Sequence, residues 1–463
     1  MRFRFKSWFR KADKGMLSLI LLFLIFTPIF LTPWVEGNDR LGYYTFPRTI
    51  VIDHDLDMEN EFILYQDDEK NVDSIKYDNS TGKYYTMFPV GTGVLWTPFM
   101  YVGHAMTYLT GGEMDGYSYY YVLMVSLASV LFGFLGLIII YKLLREYFSE
   151  FVSFISVLTI WLSTNLFYYM YLEPVMSHCF SMSLAAIFVY LWHKTLKKRT
   201  YLEWLILGIV AGLVFIVRFQ NGLFFLIPLA ESLKKYYDGI KRRRMKFPSR
   251  TFIGNIFFLF GILLGYLPQM IYFWYSHGYL FRFWEHYNKD KLSLGFGISN
   301  LPNIFFSPNH GLIYWTPILL LSLAGLYFFM KKHDFSLGFW LSIVFLLQVF
   351  AVSSYERWHG AQSFGNRIFI VFTILFCLGL ASLFEEIRLI LRHRKLDYRI
   401  VLWGILIIFT IWNFGLMMQY GAGMIPPDGP VYLSEMARNN FSVIPRRAFE
   451  IIRDFLFSRG RFL

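Results

Sequence analysis

Val35–Pro89 reads VEGNDRLGYYTFPRTIVIDHDLDMENEFILYQDDEKNVDSIKYDNSTGKYYTMFP, and it holds twelve Asp/Glu against five Lys/Arg. The whole chain, 463 residues long, carries a formal net charge of +12. Its cations therefore lie elsewhere, in short runs between apolar segments, while carboxylates gather in one loop. This segregation reads as a polytopic membrane protein whose acidic, aromatic first loop faces the outer, non-cytoplasmic side.

Working outward, 56% of residues are hydrophobic and only 16% charged. Repeated apolar runs near the length of a bilayer span place the chain among membrane proteins. The basic balance then belongs to cytoplasmic connectors under the positive-inside rule, and nucleic acid is not an expected partner. Cys179 and Cys377 fall within apolar segments and read as packing residues, so they say nothing of redox compartment.

Arg2, Arg4, Lys6, Arg10, Lys11 and Lys14 precede an apolar run from Met16 to Trp34, which reads as an uncleaved anchor with a cytoplasmic start. Further spans are expected at 118–141, 151–171, 175–195, 203–217, 222–237, 251–274, 311–330, 335–353, 367–389 and 399–420. The expected fold is an all-α polytopic membrane protein of about eleven transmembrane helices. Residues 1–15 form its basic cytoplasmic start, 16–420 the transmembrane domain with the external loop at 35–117, and 421–463 an external tail. Every basic connector then faces the cytoplasm: Lys142/Arg145, Lys194–Arg199, Lys234–Arg250, Lys331/Lys332 and Arg392–Lys395.

Crossing of the bilayer by 90–109 would invert all later connectors. That segment is therefore expected to lie along the outer surface or to dip in and return, with Pro89, Gly91, Gly93 and Pro98 breaking it. The short pair 203–217 and 222–237 meets at Arg218-Phe219-Gln220-Asn221-Gly222, a charged turn that must be buried against protein or a wet cavity. From Ser442 onward, Ile444, Phe449, Ile452, Phe455 and Leu456 interleave with arginines, the pattern of an interfacial helix. No internal repeat and no inverted halves are visible.

Candidate chemistry lies on the outer side. Asp39, with Glu36 and Tyr43 beside it, follows the first span, where a carboxylate against an apolar cavity can act as a base; a solvated helix end is the plainer reading. Asp53, Asp55 and Asp57 alternate as in a calcium loop, but Met58 and Leu64 stand where Gly and Glu are required, so an EF-hand is excluded. A solvated acidic strip or a divalent-cation site remains. Lys83 with Tyr84 and Tyr85 suits a lipid phosphate at headgroup depth, or an aromatic belt. His310, Trp358 and His359 sit in two external connections and suit a sugar ring; Arg367 opens a span at the interface, as phosphate ligand or snorkelling cation. His178 reads as structural or catalytic, and Arg218 with Gln220 as an intramembrane polar site. The chain has neither P-loop nor GxGxxG, so a nucleotide-sugar donor is not expected.

In order and spacing, Gly37-Asn38-Asp39, Lys83-Tyr84-Tyr85, Phe88-Pro89-Val90-Gly91-Thr92, Ser177-His178, Arg218-Phe219-Gln220-Asn221, Leu267-Pro268-Gln269, Ser307–Leu312 and Ser363–Arg367 resemble the GT-C membrane glycosyltransferases. The likeness is to bacterial members akin to the protein O-mannosyltransferase and aminoarabinose-transferase group. It implies an inverting hexosyl- or pentosyltransferase of the plasma membrane, using a polyprenyl-phosphate sugar on the outer face with a glycan, lipid or protein acceptor. It further implies Asp39 as base and Lys83, Arg218 and Arg367 as phosphate ligands. Asp39-Arg40 departs from the adjacent Asp-Glu of the O-mannosyltransferases, leaving the acceptor class open. Val90 and Asn366, where close relatives are expected to carry proline, are smaller departures. Two other classes compete: a lipid-linked-sugar flippase, which predicts inverted repeats and midplane charges, and a non-catalytic assembly subunit of the same fold.

Overall fold

A computed structural model describes residues 13–67, 73–241, 249–281 and 300–457. Outside these lie most of the basic start, the arginines 242–244, most of the 277–310 connection and the last six residues.

The chain is largely helical. Helices α1 (Lys14–Phe30), α2 (Asn38–Arg48) and α3 (Glu59–Asp67) precede a hairpin, β1 (Ile75–Asp78) and β2 (Lys83–Thr86). Then come α4 (Gly91–Thr110), α5 (Tyr119–Leu144), α6 (Glu150–Ser163), α7 (Leu166–Tyr171), α8 (His178–Thr195), α9 (Tyr201–Val217), α10 (Leu226–Lys241) and α11 (Ser249–His277). After these follow α12 (Leu301–Phe306), α13 (Leu312–Trp315), α14 (Ile318–Lys332), α15 (Phe335–Ser353), α16 (Thr373–His393), α17 (Tyr398–Gly421), α18 (Leu433–Arg438) and α19 (Ile444–Phe457). Among the described residues, five helical segments are long and apolar enough to cross a membrane: Tyr119–Leu144, Ser249–His277, Phe335–Ser353, Arg367–His393 and Tyr398–Gly421. Lys14–Phe30, Glu150–Ser163 and Tyr201–Val217 are shorter apolar helices.

Several expected spans are interrupted, each for a visible reason. The span at 151–171 breaks at Thr164, which is extended (φ −130°, ψ 169°). The Asn413 amide donates to the carbonyls of Leu162 (2.9 Å) and Thr164 (3.0 Å) and so satisfies groups the break would orphan. The span at 311–330 breaks at Pro317, between α13 and α14. Helix α9 starts at a capping box, Thr200 with Glu203, and ends at extended Arg218, before a 3-10 turn Phe219–Phe225.

The segment at 90–109 differs from expectation. It is one continuous helix, α4, with Pro98 inside it. Its N-terminal glycine serves close packing rather than breakage: a Cβ on Gly91 would stand 2.5 Å from the Ile216 backbone of α9. Helix α4 also lies along the first part of α5, with Trp96 Nε1 donating to Ser129 Oγ at 3.0 Å.

The long acidic loop after α1 is a folded unit, and its hairpin is a departure from an all-α chain. The strands pair antiparallel, Ile75 with Thr86 through Asp78 with Lys83. The loop is clamped to α11: the Thr86 amide donates to Tyr272 OH (2.8 Å) and the Val90 amide to Gln269 Oε1 (2.9 Å). Beneath it, Arg48 pairs with Glu61 (2.8 Å) and Asp53 (2.5 Å). Burial pushes the fully buried Glu61 up to about 7, against the pull of Arg48, and its second oxygen has no hydrogen-bond partner. The folded loop therefore binds a proton that the unfolded chain releases earlier. Its contribution to stability is fully present at low pH and is lost as pH rises through about 7. Thermal unfolding in detergent should show Tm falling between pH 5 and pH 8, a slope that Glu61→Gln should flatten.

Candidate functional site

Two chain connections build the site. After α1, Thr32 N donates to the Tyr171 carbonyl (2.9 Å), which fixes the strand leading to Gly37. Gly37 has φ +89°, a conformation natural to glycine, and it caps α2 so that Asp39 falls in the first helical turn. There the unpaired amides of the helix start favour a carboxylate. Much later in the chain, Asn366 ends the 355–366 connection and Arg367 opens a 3-10 turn into α16.

These elements meet in an ion pair, Arg367 Nη2 to Asp39 Oδ2 at 2.5 Å, with the carboxylate side chain 36% exposed and the guanidinium side chain 12% exposed. Next to it, Arg40 Nη1 pairs with Glu173 Oε1 (2.8 Å), stacks on Trp34 at 3.7 Å, and donates through Nε to the Glu36 carbonyl. Tyr168 OH also donates to Glu173 (3.0 Å). Both pairs border a cavity of about 910 Å³, walled further by Arg357, Gln362 and Asp428 and, at its other end, by apolar side chains of α1, α17 and α19.

On the inner side of the pair, Ser177 Oγ donates to Tyr43 OH (3.1 Å), and Arg218 Nη1 lies 2.8 Å from His178 Nδ1. An arginine is protonated, so the unprotonated Nδ1 of a neutral His178 accepts this bond. Tyr43 feels the charges of Arg218, Asp39 and Arg367 together, and burial drives its phenol above the ordinary value. Asp39, Tyr43, His178, Arg218 and Arg367 thus form one constellation.

Other expected residues lie apart or have packing roles. Lys83 sits over the Tyr275 ring at 3.1 Å, Tyr84 stacks on Phe62, and Tyr85 meets His277 edge-on. Lys83 and Tyr85 staple the hairpin to α11 and Tyr84 packs it on α3, apart from the ion pair. Gln220 lies in the 3-10 turn after Arg218. His310 Nδ1 donates to the His359 carbonyl (3.2 Å), and burial pushes its imidazole down to about 4, so it is neutral at physiological pH. His359 faces Asp428 at 3.4 Å, while Trp358 packs edge-on against the His359 ring.

The acidic triplet is spent on structure. Asp53 pairs with Arg48, Asp55 accepts from Thr49 Oγ1 (2.8 Å), and Asp57 accepts from the Tyr84 amide (3.1 Å). Among the described residues no group of three or more His, Cys, Asp or Glu gathers as a metal site. Each carboxylate of the triplet thus has a hydrogen-bond or ion-pair partner within the loop.

Sequence reasoning did not assign roles to Glu173, Trp34 or Asp428. The unexpected Arg40 was the available signal, because an arginine beside Asp39 needs a counter-charge from elsewhere.

A family model described as dolichyl-phosphate-mannose-protein mannosyltransferase matches residues 122–236. This stretch runs from α5 into α10 and includes His178 and Arg218, but neither Asp39 nor Arg367. No curated protein matches the chain. Solved structures of the oligosaccharyltransferase AglB from Archaeoglobus fulgidus align over most of it. One, in complex with an inhibitory peptide and a dolichol-phosphate, is 13% identical with TM-score 0.48, covering 90% of this chain and 58% of that one. Another, in the apo form, is 12% identical with TM-score 0.46, covering 96% and 56%. The chain thus spans less than two thirds of the length of these structures. By the family match, the chain is similar to membrane glycosyltransferases of the GT-C type.

Removing Arg40 leaves Glu173 charged beside the cavity with only Tyr168 for company. Arg40→Gln should cost about 2 kcal/mol, less than a fully enclosed pair because one edge faces the cavity. Calorimetric Tm in detergent reads this loss, and Arg40→Gln combined with Glu173→Gln should recover part of it.

Proposed function

We propose that this protein is a membrane glycosyltransferase that moves a sugar from a polyprenyl-phosphate donor to an acceptor hydroxyl on the outer face of the plasma membrane. The observation that carries this reading is the Asp39–Arg367 pair, half open to a large cavity on one side and backed by Arg218 and His178 on the other. A carboxylate held next to a chamber, with guanidinia behind it, supplies the two things a displacement at an anomeric carbon requires: a proton acceptor and stabilisation of the departing phosphate.

In this mechanism the acceptor hydroxyl lies against Asp39, and its oxygen attacks the anomeric carbon. The hydroxyl proton passes to the Asp39 carboxylate. The bond from the anomeric carbon to the phosphate oxygen breaks, its electron pair stays on that oxygen, and Arg218 takes up the charge. Single displacement inverts the anomeric configuration. Arg367 holds the Asp39 carboxylate in place and lends its charge to both ends of the reaction. Because Lys83 is stacked on Tyr275 and Arg367 is paired with Asp39, the phosphate is assigned to Arg218. No step is routed through a metal ion.

The test is sugar transfer in proteoliposomes containing a labelled polyprenyl-phosphate sugar. Asp39→Asn should lower kcat by about two orders of magnitude or more, within the range expected for loss of a general base. Arg218→Gln should depress kcat/KM for donor while Lys83→Gln leaves it nearly unchanged. Full activity of Asp39→Asn would refute the assignment of the base. Movement of labelled lipid between leaflets without transfer would favour the flippase reading instead.

A further inference from the structure

The cavity at Asp39 has two unlike ends. Near the ion pairs it is polar. Away from them its wall is Phe30 of α1, Phe414 and Met417 of α17, and Ile452, Phe455 and Leu456 of α19. Helix α19 carries two neighbouring apolar stripes. Ile444, Ala448, Ile451 and Phe455 turn inward at helical spacing, and Phe455 lies 6.1 Å from the Phe30 ring. Phe449, Ile452 and Leu456 form the second stripe and stay exposed, as does Ile29 on α1. Exposed apolar residues on both sides of the mouth, with Arg446, Arg447 and Arg453 along the same helix, describe an opening toward lipid and not toward water.

Charge distinguishes between possible occupants. The wall contains four carboxylates, Asp39, Asp73, Glu173 and Asp428, and three guanidinia, Arg40, Arg357 and Arg367. Arg40 and Arg367 are each already tied to a carboxylate. A phosphate entering here meets two neutralised cations, one further guanidinium at Arg357, and a net surplus of negative charge. Arg218, in contrast, pairs with His178 and, among the described residues, with no carboxylate, and it does not line this cavity. The anionic donor therefore belongs on the Arg218 side and a neutral head belongs in the chamber.

We propose that the acceptor is a membrane amphiphile with an uncharged, hydroxyl-bearing headgroup. Its apolar chain lies between α1, α17 and α19, and its headgroup hydroxyl reaches Asp39. This rests on the transferase reading for the reaction, but not for the binding site. Helix α19 is then the outer wall of an acceptor site rather than a membrane anchor alone, and a water-soluble peptide or glycan is a poor substrate.

The binding test uses the full chain in nanodiscs and a diacylglycerol bearing one hexose and a diazirine in an acyl chain. After irradiation, labelled peptides are mapped by mass spectrometry. The expected result is label on α1, α17 and α19, displaced by unlabelled hexosyl-diacylglycerol and not by polyprenyl phosphate. Displacement by polyprenyl phosphate would assign the chamber to the donor's tail and overturn the proposal. Label spread evenly over lipid-facing helices such as α11 would overturn it as well. In the transfer assay, Ile452→Trp should raise KM for the hexosyl lipid about tenfold and leave donor KM within about twofold. A shift in donor KM instead, or equal kcat/KM for a water-soluble glycoside, would also sink it. A chamber that labels as expected in a protein that transfers no sugar from any polyprenyl-phosphate donor would refute the transferase reading and leave the lipid site standing.

Discussion

The Asp39–Arg367 pair joins positions 328 residues apart, and the acidic loop is organised around it. A guanidinium this enclosed needs a counter-charge, because leaving it unpaired costs several kcal/mol. The counter-charge sits on a short helix outside the spans, so α2 must be fixed as firmly as a transmembrane element. The chain achieves this from three directions. Thr32 is tied to the end of α7, Ser74 N donates to Asn38 Oδ1 (2.9 Å), and Thr86 Oγ1 donates to the Gly42 carbonyl (2.6 Å). The hairpin that supplies Thr86 is in turn clamped to α11. What looks in sequence like a long acidic loop is therefore a rigid mount for one carboxylate.

This constraint explains why the acidic residues are so numerous and yet so few are available for chemistry. Glu61 and Asp53 neutralise Arg48 below the loop, while Asp55 and Asp57 shape the turn that leads to α3. Asp78 meets His277 Nδ1 at 2.6 Å where the hairpin lands on α11. Each of these is an internal strut. Asp39 differs because its partner leaves it one-third exposed toward a cavity. The distinction between a strut and a cavity-facing carboxylate lies in the third dimension, and spacing along the chain does not contain it.

Charge segregation and apolar period were enough to read a helical membrane protein with a long acidic loop after its first apolar helix, because both are properties of composition along the chain. Breaks inside spans were partly legible. Pro317 is a sequence signal, but the break at Thr164 depends on Asn413 of a distant helix and leaves no local mark. Helix α4 was misread as broken because glycine has two meanings, and only the backbone of Ile216 beside Gly91 shows which applies. At the site, Asp39, Arg218 and Arg367 were legible as charges at span ends, where burial makes charge informative. Lys83 satisfied the same rule yet turned to Tyr275, since a flexible ammonium takes whichever aromatic face is nearest.

The Asp39-Arg40 dipeptide gives the last step. In sequence it departs from the adjacent Asp-Glu of the O-mannosyltransferases and leaves the acceptor class open. In the structure a carboxylate returns from the α7–α8 connection as Glu173, and Arg40 spans the gap between it and Trp34. The cavity wall keeps its negative charge while gaining a rigid, neutralised corner beside Asp39. A corner of this kind repels a second anion and leaves room for an uncharged hydroxyl. The Arg40–Glu173 corner thus lies on the cavity that opens toward α19, whereas Arg218, with no carboxylate partner among the described residues, does not line that cavity. Two adjacent letters of sequence, and one glutamate far from them, set the charge beside Asp39.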